Sequence, residues 1–302
     1  MTIVGSLVAL LLPAVQASRE RSRQTVCASN LRQQGLAVQQ HVQAFGRFPC
    51  NGWGYLWVGD PDRGNDLKQP GGWIYNLVVY TQPKTHRDLG KSGDVRGGGR
   101  AAFERLLSEP APLFVCPSRG DGRPRPAAPW LPPFNAEFRP LVAKTDYAIC
   151  EGDYITDTQG GPESLEQGDN NQYEWKDTGL ATGVSYLRSA VRPGHVTDGL
   201  SHTYLIGEKY VSFGGYETHD DPGYDQTMYT GVDLDLNRWT LEPPLPDGRE
   251  WELRRFGSAH PEHVGFAFCD GSVRQIRFAI DPQLHRSLGH RSDGAILDEA
   301  KL

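Results

Sequence analysis

The chain begins with an apolar run, MTIVGSLVALLLPAV, and no strong helix breaker follows this run before Gly46. At about 1.5 Å of rise per residue, residues 1–15 form a helix of about 22 Å, shorter than the roughly 30 Å hydrocarbon core of a bilayer. We therefore expect one long helix, apolar over 1–15 and amphipathic over 16–48, followed by a globular domain over 49–302. Pro13 should kink this helix rather than end it.

The second part of the helix has one apolar face. Leu31, Gly35, Val38, Val42 and Phe45 recur at the spacing of a 3.6-residue period. Such a face needs a packing partner, so we expect the end of the helix to dock on the globular domain. The residues through which we expect the helix to act in docking and assembly are Leu7, Leu11, Pro13, Leu31, Gly35, Val38, Val42 and Phe45.

Three interpretations of the N-terminus stay open. Val15-Gln16-Ala17 resembles the cleavage site of a secretory signal peptide, although no Lys or Arg precedes the apolar run. Alternatively, the run is the tail of a longer membrane segment, with Arg19, Arg21 and Arg23 at the membrane boundary. The third interpretation is a helix buried in a soluble core.

Composition excludes some classes of protein. A net charge of −6 offers no electrostatic surface for a phosphate backbone, so nucleic acid is not expected as a partner. The 35 glycines and 22 prolines predict a loop-rich fold rather than a helical bundle. The five cysteines lack the C-x2-C spacing of zinc sites and allow up to two disulfides. They are Cys27, Cys50, Cys116, Cys150 and Cys269.

Four segments, in order along the chain, resemble one family. Ile3 to Pro49 is similar to the N-terminal helix of type IV pilin-like proteins, in particular the pseudopilin-like DUF1559 family. Val-Cys-Pro-Ser at 115–118 resembles the Cys-Pro-Ser turn of that family, and TDGLSHTYLIGEK at 197–209 resembles its T-D-G to G-E-K segment. His260 and Asp270-Gly271 match its C-terminal His-x9-Asp-Gly motif. The motif residues are Cys116, Asp198, Gly199, Gly207, Glu208, Lys209, His260, Asp270 and Gly271.

This resemblance implies a fold and a location. It implies a pilin-like α+β protein, with the long helix packed on a loop-rich antiparallel sheet. It also implies a non-enzymatic subunit in the inner membrane, with a single-pass helix and its globular domain in the periplasm or exterior. Its partners would be other pseudopilin subunits and the secretion machinery. The family's leader, cleavage Gly and following Glu are not in the sequence, so we expect a start codon set too late or a truncated copy.

Short patterns predict the strands. Asp270-Gly271 between two apolar runs predicts a hairpin with a type I′ turn. Thr203–Gly207 and Tyr210–Phe213 are interpreted as a strand pair with a break, and further strands are expected at Trp73–Tyr80 and Thr145–Ile149.

Chemical motifs are few. His260 and His263 flank Pro261 and lack a third ligand at a recognised spacing, so we expect no metal there and a hydrogen bond from the His260 side chain to the backbone. No G-x-S-x-G or phosphate-binding loop is present, and we expect no enzyme. Calcium is the one cofactor that the acidic loops suggest, because it binds six to eight oxygen ligands. Its candidate ligands in the acidic loops are Asp153, Asp157, Asp169, Asp220, Asp221 and Asp225.

A second functional class is a secreted binding module, with residues 1–17 cleaved, whose ligand would be a carbohydrate. The aromatic segment Trp53-Gly-Tyr55-Leu-Trp57 either forms a stacking surface for such a ligand or belongs to the core. A metal hydrolase is the third class. Leu31→Glu is expected to abolish assembly if the protein is a pseudopilin-like subunit, and to have no effect under the other two classes.

Overall fold

The computed structural model describes residues 2–82, 104–109, 111–156 and 159–296, with side chains described from residue 12 onward. The helices with described bounds are α1 (Thr2–Phe45), α2 (Trp73–Thr81), α3 (Leu165–Asp169) and α4 (Pro282–Gly289), and residues 104–108 are also helical. The strands are β1 (Arg125–Pro126), β2 (Leu141–Val142), β3 (Tyr147–Cys150), β4 (Tyr204–Glu208), β5 (Asn237–Arg238), β6 (Leu245–Pro246), β7 (Gly257–Ser258), β8 (His263–Phe268) and β9 (Val273–Arg277).

Helix α1 is one continuous helix, as its lack of breakers predicted, but it ends at Phe45, three residues before the expected bound at 48. It runs for 44 residues and contains Pro13 without ending there. It stops before Gly46, which adopts a φ of +70° and donates its N–H to the Val42 carbonyl at 2.7 Å. Glycine takes this left-handed conformation without the steric cost that a Cβ brings, which is why it commonly ends helices. None of the described helices is both long enough and apolar enough to cross a membrane.

The central sheet has the strand order β5-β3-β4-β8-β9. Three pairs of adjacent strands in this sheet are antiparallel, as predicted: β3/β4, β4/β8 and β8/β9. The fourth pair, β3 and β5, is parallel. The α+β class is therefore confirmed, and the sheet is mixed rather than purely antiparallel. A parallel pair needs a long crossover connection, which the loop-rich segment between these two strands supplies.

Two of the predicted strands are wrong. Residues 73–80 belong to helix α2, because a short apolar run fits a buried helix as well as a buried strand. Residues 210–213 form no strand of the sheet. Instead Lys209 makes a single bridge to Phe256, and a 3₁₀ turn begins at Phe213.

The hairpin between β8 and β9 lies where Asp270-Gly271 predicted it, but its turn differs. Gly271 has a φ of +86°, whereas Asp270 is not among the described residues with positive φ, so the turn is not type I′. The N–H of Gly271 donates to the Phe268 carbonyl, and the N–H of Phe268 donates to the Ser272 carbonyl. This pattern is typical of a longer loop closed by a glycine bulge.

The second part of α1 belongs to the core of the globular domain. Leu31 and Val38 are fully buried, and a Cβ added to Gly35 would lie 3.5 Å from the Cα of Gly271 in the hairpin. Docking is thereby confirmed for these positions. Val42 is only half-buried, and Phe45 is 41% exposed, because the helix leaves the sheet in its last turn. The predicted buried face was therefore one turn too long.

Candidate functional site

Four polar side chains from four separate segments meet in one buried group beneath α1. They are Cys27, Cys116, Glu208 and His260, and one ligand-type atom from each lies within 4.8 Å of the others. We call this group the helix cluster. Among the described residues it is the one set of three or more His, Cys, Asp or Glu side chains with this proximity.

The two sulfur atoms of the group are adjacent, although their residues lie on different segments. Cys27 lies on the buried face of α1, one turn before Leu31, and its Sγ is 3.2 Å from the Sγ of Cys116. Cys116 follows the 3₁₀ turn Pro112–Phe114, and its N–H donates to the Asp146 carboxylate at 2.6 Å. The structure contains both cysteines as free thiols.

The Glu208 carboxylate is held at one oxygen and faces the cluster with the other. Its Oε2 accepts hydrogen bonds from the N–H of Gly265 at 2.8 Å and from the Ser258 hydroxyl at 3.1 Å. Its Oε1 lies 3.3 Å from Nε2 of His260, yet the geometry gives that oxygen no hydrogen bond. Oε1 therefore has an ion-pair contact with His260 but no well-formed hydrogen bond, which makes it a candidate position for a ligand.

His260 uses both ring nitrogens on side chains of the site. Its Nε2 is 3.5 Å from the Sγ of Cys116, and its Nδ1 is 2.5 Å from Oε1 of Glu20 on α1. Ser118 Oγ lies 3.4 Å from the same Nδ1. The hydrogen bond from this side chain to the backbone that we expected is therefore wrong. His263, the other histidine of the His-Pro-Glu-His segment, is outside the cluster.

Burial and mutual contacts set the charge of these groups. Burial alone would lower the pKa of His260, but its contacts with Cys116 and with the Glu208 carboxylate raise that pKa to about 11. Burial would raise the pKa of Glu208, yet the contact with His260 leaves it below its ordinary value. The hydrogen bond from Cys27, together with burial, holds the pKa of Cys116 well above that of a free thiol. An imidazolium thus lies between two carboxylates and beside the neutral thiol of Cys116.

The cluster rests on an internal ion network. Arg119, in the turn after Cys116, donates to both carboxylate oxygens of Asp247, at 2.8 and 3.0 Å. It also donates to Asp146 and to the Lys209 carbonyl, and its side chain is 2% exposed. This network fixes the Cys116 turn to the end of β4, where Glu208 is located.

The remaining predicted motif residues have structural positions. A Cβ on Gly207 would lie 2.5 Å from the Phe266 ring, so β4 needs a glycine there to pack on β8. Lys209 is fully buried and donates to the carbonyls of Gly223 and Asp235. Asp198 accepts the N–H groups of Asp293 and Gly294.

Two further motif residues shape turns. Gly199 has a φ of +102° at the start of a 3₁₀ turn, and Asp270 accepts the N–H of Ser272 inside the hairpin loop. Both contacts are local and lie outside the cluster.

A comparison with known proteins gives one match. A family model described as "Protein of unknown function (DUF1559)" covers residues 16–283. The chain belongs to the DUF1559 family. No curated protein and no solved structure matches this DUF1559 protein.

Sequence reasoning placed three members of the cluster in DUF1559 motifs but left out Cys27 and Glu20. Cys27 precedes Leu31 by four positions, so the helical period already assigned it to the buried face. Each of the four motif segments contributes one thiol, imidazole or carboxylate, which was the available indication of a shared site.

The calcium candidates do not form a common site among the described residues. Asp169 pairs with Arg63, and Asp153 accepts from Thr182 and lies 3.3 Å from Arg286. Asp157 lies outside the described residues, and Asp220 is exposed on a loop.

The last two candidates are buried but have other partners. Asp221 accepts the N–H groups of Ser212 and Gly223. Asp225 is next to Asp235, and burial with that neighbouring carboxylate raises the pKa of Asp225 to about 9. Calcium binding by this DUF1559 protein stays a prediction.

Aromatic side chains line a separate surface cleft. Trp53 and Trp57 are buried and donate to the carbonyls of Leu67 and Pro162, so of the two interpretations of this segment the core holds for these two residues. The exposed indoles are instead Trp130 and Trp251. They flank an open cleft of about 570 Å³ that also contains Tyr55.

Proposed function

We propose that this DUF1559 protein is a non-enzymatic, pseudopilin-like subunit of a type II secretion or type IV pilus-like assembly, with α1 as its inner-membrane anchor. The observation that carries the proposal is the division of α1 into two parts. Residues 12–19 are all exposed, whereas inward positions from Cys27 to His41 are buried in the domain core. The first part therefore projects from the domain that holds the second.

Three exposed apolar side chains lie on one side of α1 ahead of its docked part, and we call them the stripe. They are Leu12, Val15 and Val26, which are 59%, 44% and 47% exposed, and the exposed Arg19 lies between them on the same side. At about 100° per residue these three positions lie within about 60° of one another around the helix. Burying each such side chain is worth roughly 1.5–3 kcal/mol, which lipid or the helices of neighbouring copies would supply. Because Leu31 is fully buried in its own domain, Leu31→Glu would unfold the subunit rather than test assembly.

Photocrosslinking in the native host tests this proposal. A UV-activated residue is placed at Leu12, Val15 or Val26 in the full-length protein. Arg32 is the matched control, since it is exposed on the same helix roughly a third of a turn from the stripe. We expect membrane fractionation and ladders of crosslinked copies from the stripe positions, but not from Arg32. A soluble chain that stays monomeric at every position would contradict the proposal.

A secreted binding module is the second candidate, and the cleft between Trp130 and Trp251 favours it. Exposed indoles bind the apolar faces of sugar rings by stacking, and the acidic Asp220 and Asp233 in the same cleft offer hydrogen-bond acceptors. Tryptophan fluorescence titration with a panel of oligosaccharides tests it. We expect loss of binding in Trp130→Ala and Trp251→Ala, but not in Leu180→Ala, which removes another exposed side chain.

The N-terminus separates the two candidates. Mass spectrometry of the protein from its native host would find a chain beginning at Ser18 if the apolar run is a cleaved signal peptide. A retained apolar run in the membrane fraction supports the pseudopilin-like subunit.

A further inference from the structure

We propose that Cys27, Cys116, Glu208 and His260 bind one zinc ion, which fastens α1 to the globular domain. The proposal is independent of any assembly or carbohydrate ligand. It concerns the helix cluster as a metal site with a structural role.

Two of the three ligand-to-ligand distances along the cluster match a tetrahedron around zinc, and the distance between the two sulfurs is shorter than a bound ion would set it. Zn–S bonds of about 2.3 Å and Zn–N or Zn–O bonds of about 2.0–2.1 Å place neighbouring ligand atoms about 3.3–3.8 Å apart. In the cluster, Sγ of Cys27 is 3.2 Å from Sγ of Cys116, which is 3.5 Å from Nε2 of His260. That nitrogen is 3.3 Å from Oε1 of Glu208. A cavity of about 10 Å³ adjoins three of these side chains, those of Cys27, Glu208 and His260.

The donor set matches the chemistry of zinc. Zinc binding would displace the protons of the two thiols and of Nε2 of His260. The resulting two thiolates, one imidazole nitrogen and one carboxylate oxygen are all ligands that zinc accepts in proteins. All four side chains are buried, and together they fill a four-coordinate shell. A shell closed by four protein ligands is typical of structural zinc rather than of a catalytic ion with an open position.

The surrounding contacts are those that a metal site needs. A zinc-bound histidine usually donates its other ring N–H to a carboxylate, and Nδ1 of His260 lies 2.5 Å from Glu20. Glu208 is likewise oriented through Oε2, by Gly265 and Ser258, which leaves Oε1 directed at the cluster without a hydrogen bond. Glu20 is thus a positioning residue for the His260 ligand.

A disulfide between Cys27 and Cys116 is the main competing state, because their sulfurs are adjacent. It would require neither the His260 imidazole nor the Glu208 carboxylate, although both lie at the same cluster. One zinc ion would account for the convergence of all four side chains. Since the ligands come from α1, the Cys116 turn, the end of β4 and the segment before β8, zinc binding would couple helix docking to folding.

Metal analysis of the purified full-length protein in detergent tests the proposal. We expect about one zinc per chain by mass spectrometry of the metal, and loss of the zinc with a lower Tm after treatment with a strong chelator. Adding zinc alone should restore both. Cobalt substitution should give the thiolate-to-cobalt charge-transfer band of a cysteine-ligated site.

Variants separate ligands from bystanders. Cys27→Ser and His260→Asn should lose bound zinc, whereas Cys50→Ser, which changes a buried thiol outside the cluster, should keep it. Glu20→Gln leaves all four ligands in place and should weaken zinc binding by about 10–100-fold. This partial loss of zinc affinity can be measured even if a variant of one of the four ligands fails to fold.

Thiol counting distinguishes the outcomes that overturn the proposal. The chain has five cysteines, so chelated and denatured protein should show five reactive thiols without a reductant. Three reactive thiols and no zinc would mean that Cys27 and Cys116 form a disulfide instead. Five thiols with no zinc, and a Tm that zinc does not change, would mean a cluster held by hydrogen bonds only.

Discussion

Cys27 on the N-terminal helix lies with its sulfur 3.2 Å from the sulfur of Cys116, a residue 89 positions later in the chain. The contact joins the helix segment and the Cys-Pro-Ser turn, two motifs whose spacing along the sequence gave no reason to pair them. Together with Glu208 and His260 it makes the junction between helix and sheet a polar, ligand-rich site rather than a purely apolar contact.

The docked face of α1 should dominate the stability of the helix junction. Leu31→Ala removes a fully buried side chain and should lower the free energy of unfolding by about 2–5 kcal/mol, since a cavity remains. Leu36→Ala, on the exposed side of the same helix, should change it by less than about 0.5 kcal/mol. Urea unfolding followed by tryptophan fluorescence measures both. Equal effects of the two variants would mean that this part of α1 is not docked as described.

The buried ion network should be intolerant of losing its cation. Arg119→Met leaves Asp247 and Asp146 buried without their guanidinium and should cost about 3–5 kcal/mol. Arg123→Met is the control, because Arg123 is 61% exposed in its side chain and its pair with Glu217 is solvent-screened. A stability loss below about 1 kcal/mol for Arg119→Met in the same urea assay would refute the role given to the network.

The hairpin turn should need glycine for its backbone conformation. Gly271 has a φ of +86°, while a Cβ there would meet just one described side chain, Gln39, at 3.8 Å. Gly271→Ala should therefore cost about 1 kcal/mol through strain rather than crowding, and Gly271→Asn should cost less. Gly214→Ala, at a position with open space and no positive φ, should be close to neutral. Calorimetric Tm values would show whether this order holds.

His285 should make stability fall in mild acid. Burial lowers its pKa from 6.5 to about 3, so the folded protein keeps the ring neutral. Below pH 6.5 the unfolded chain takes up a proton that the folded chain does not bind, and folding loses up to about 1.4 kcal/mol per pH unit until pH reaches about 3.

His285→Gln should remove this component of the pH dependence. The difference between wild type and variant in urea unfolding, measured from pH 7 to pH 5, isolates it from the carboxylates. Parallel pH profiles for the two proteins would show that His285 is not held neutral by the fold.

The sequence by itself determined the local features of this protein. The lack of breakers before Gly46 predicted one continuous helix α1, and Asp270-Gly271 located the hairpin between β8 and β9. Both depend on the backbone preferences of a few neighbouring residues. Local preference did not decide residues 73–80, because a short run that is apolar throughout suits any buried element. In the structure these residues form helix α2, which packs against α1. Neither the helix nor this contact could be predicted from the apolar run alone.

The tertiary structure alone decided the helix cluster. The sequence presented Cys116, Glu208 and His260 as separate motif residues, and the interpretation of His260 as a backbone anchor followed from its nearest neighbours. Their convergence depends on how β4 pairs with β8 and on which turn of α1 meets the sheet. Such contacts form between residues far apart in the chain. Hydrophobic periodicity and turn signals are local, so they specify the helices and strands but not which side chains meet between them.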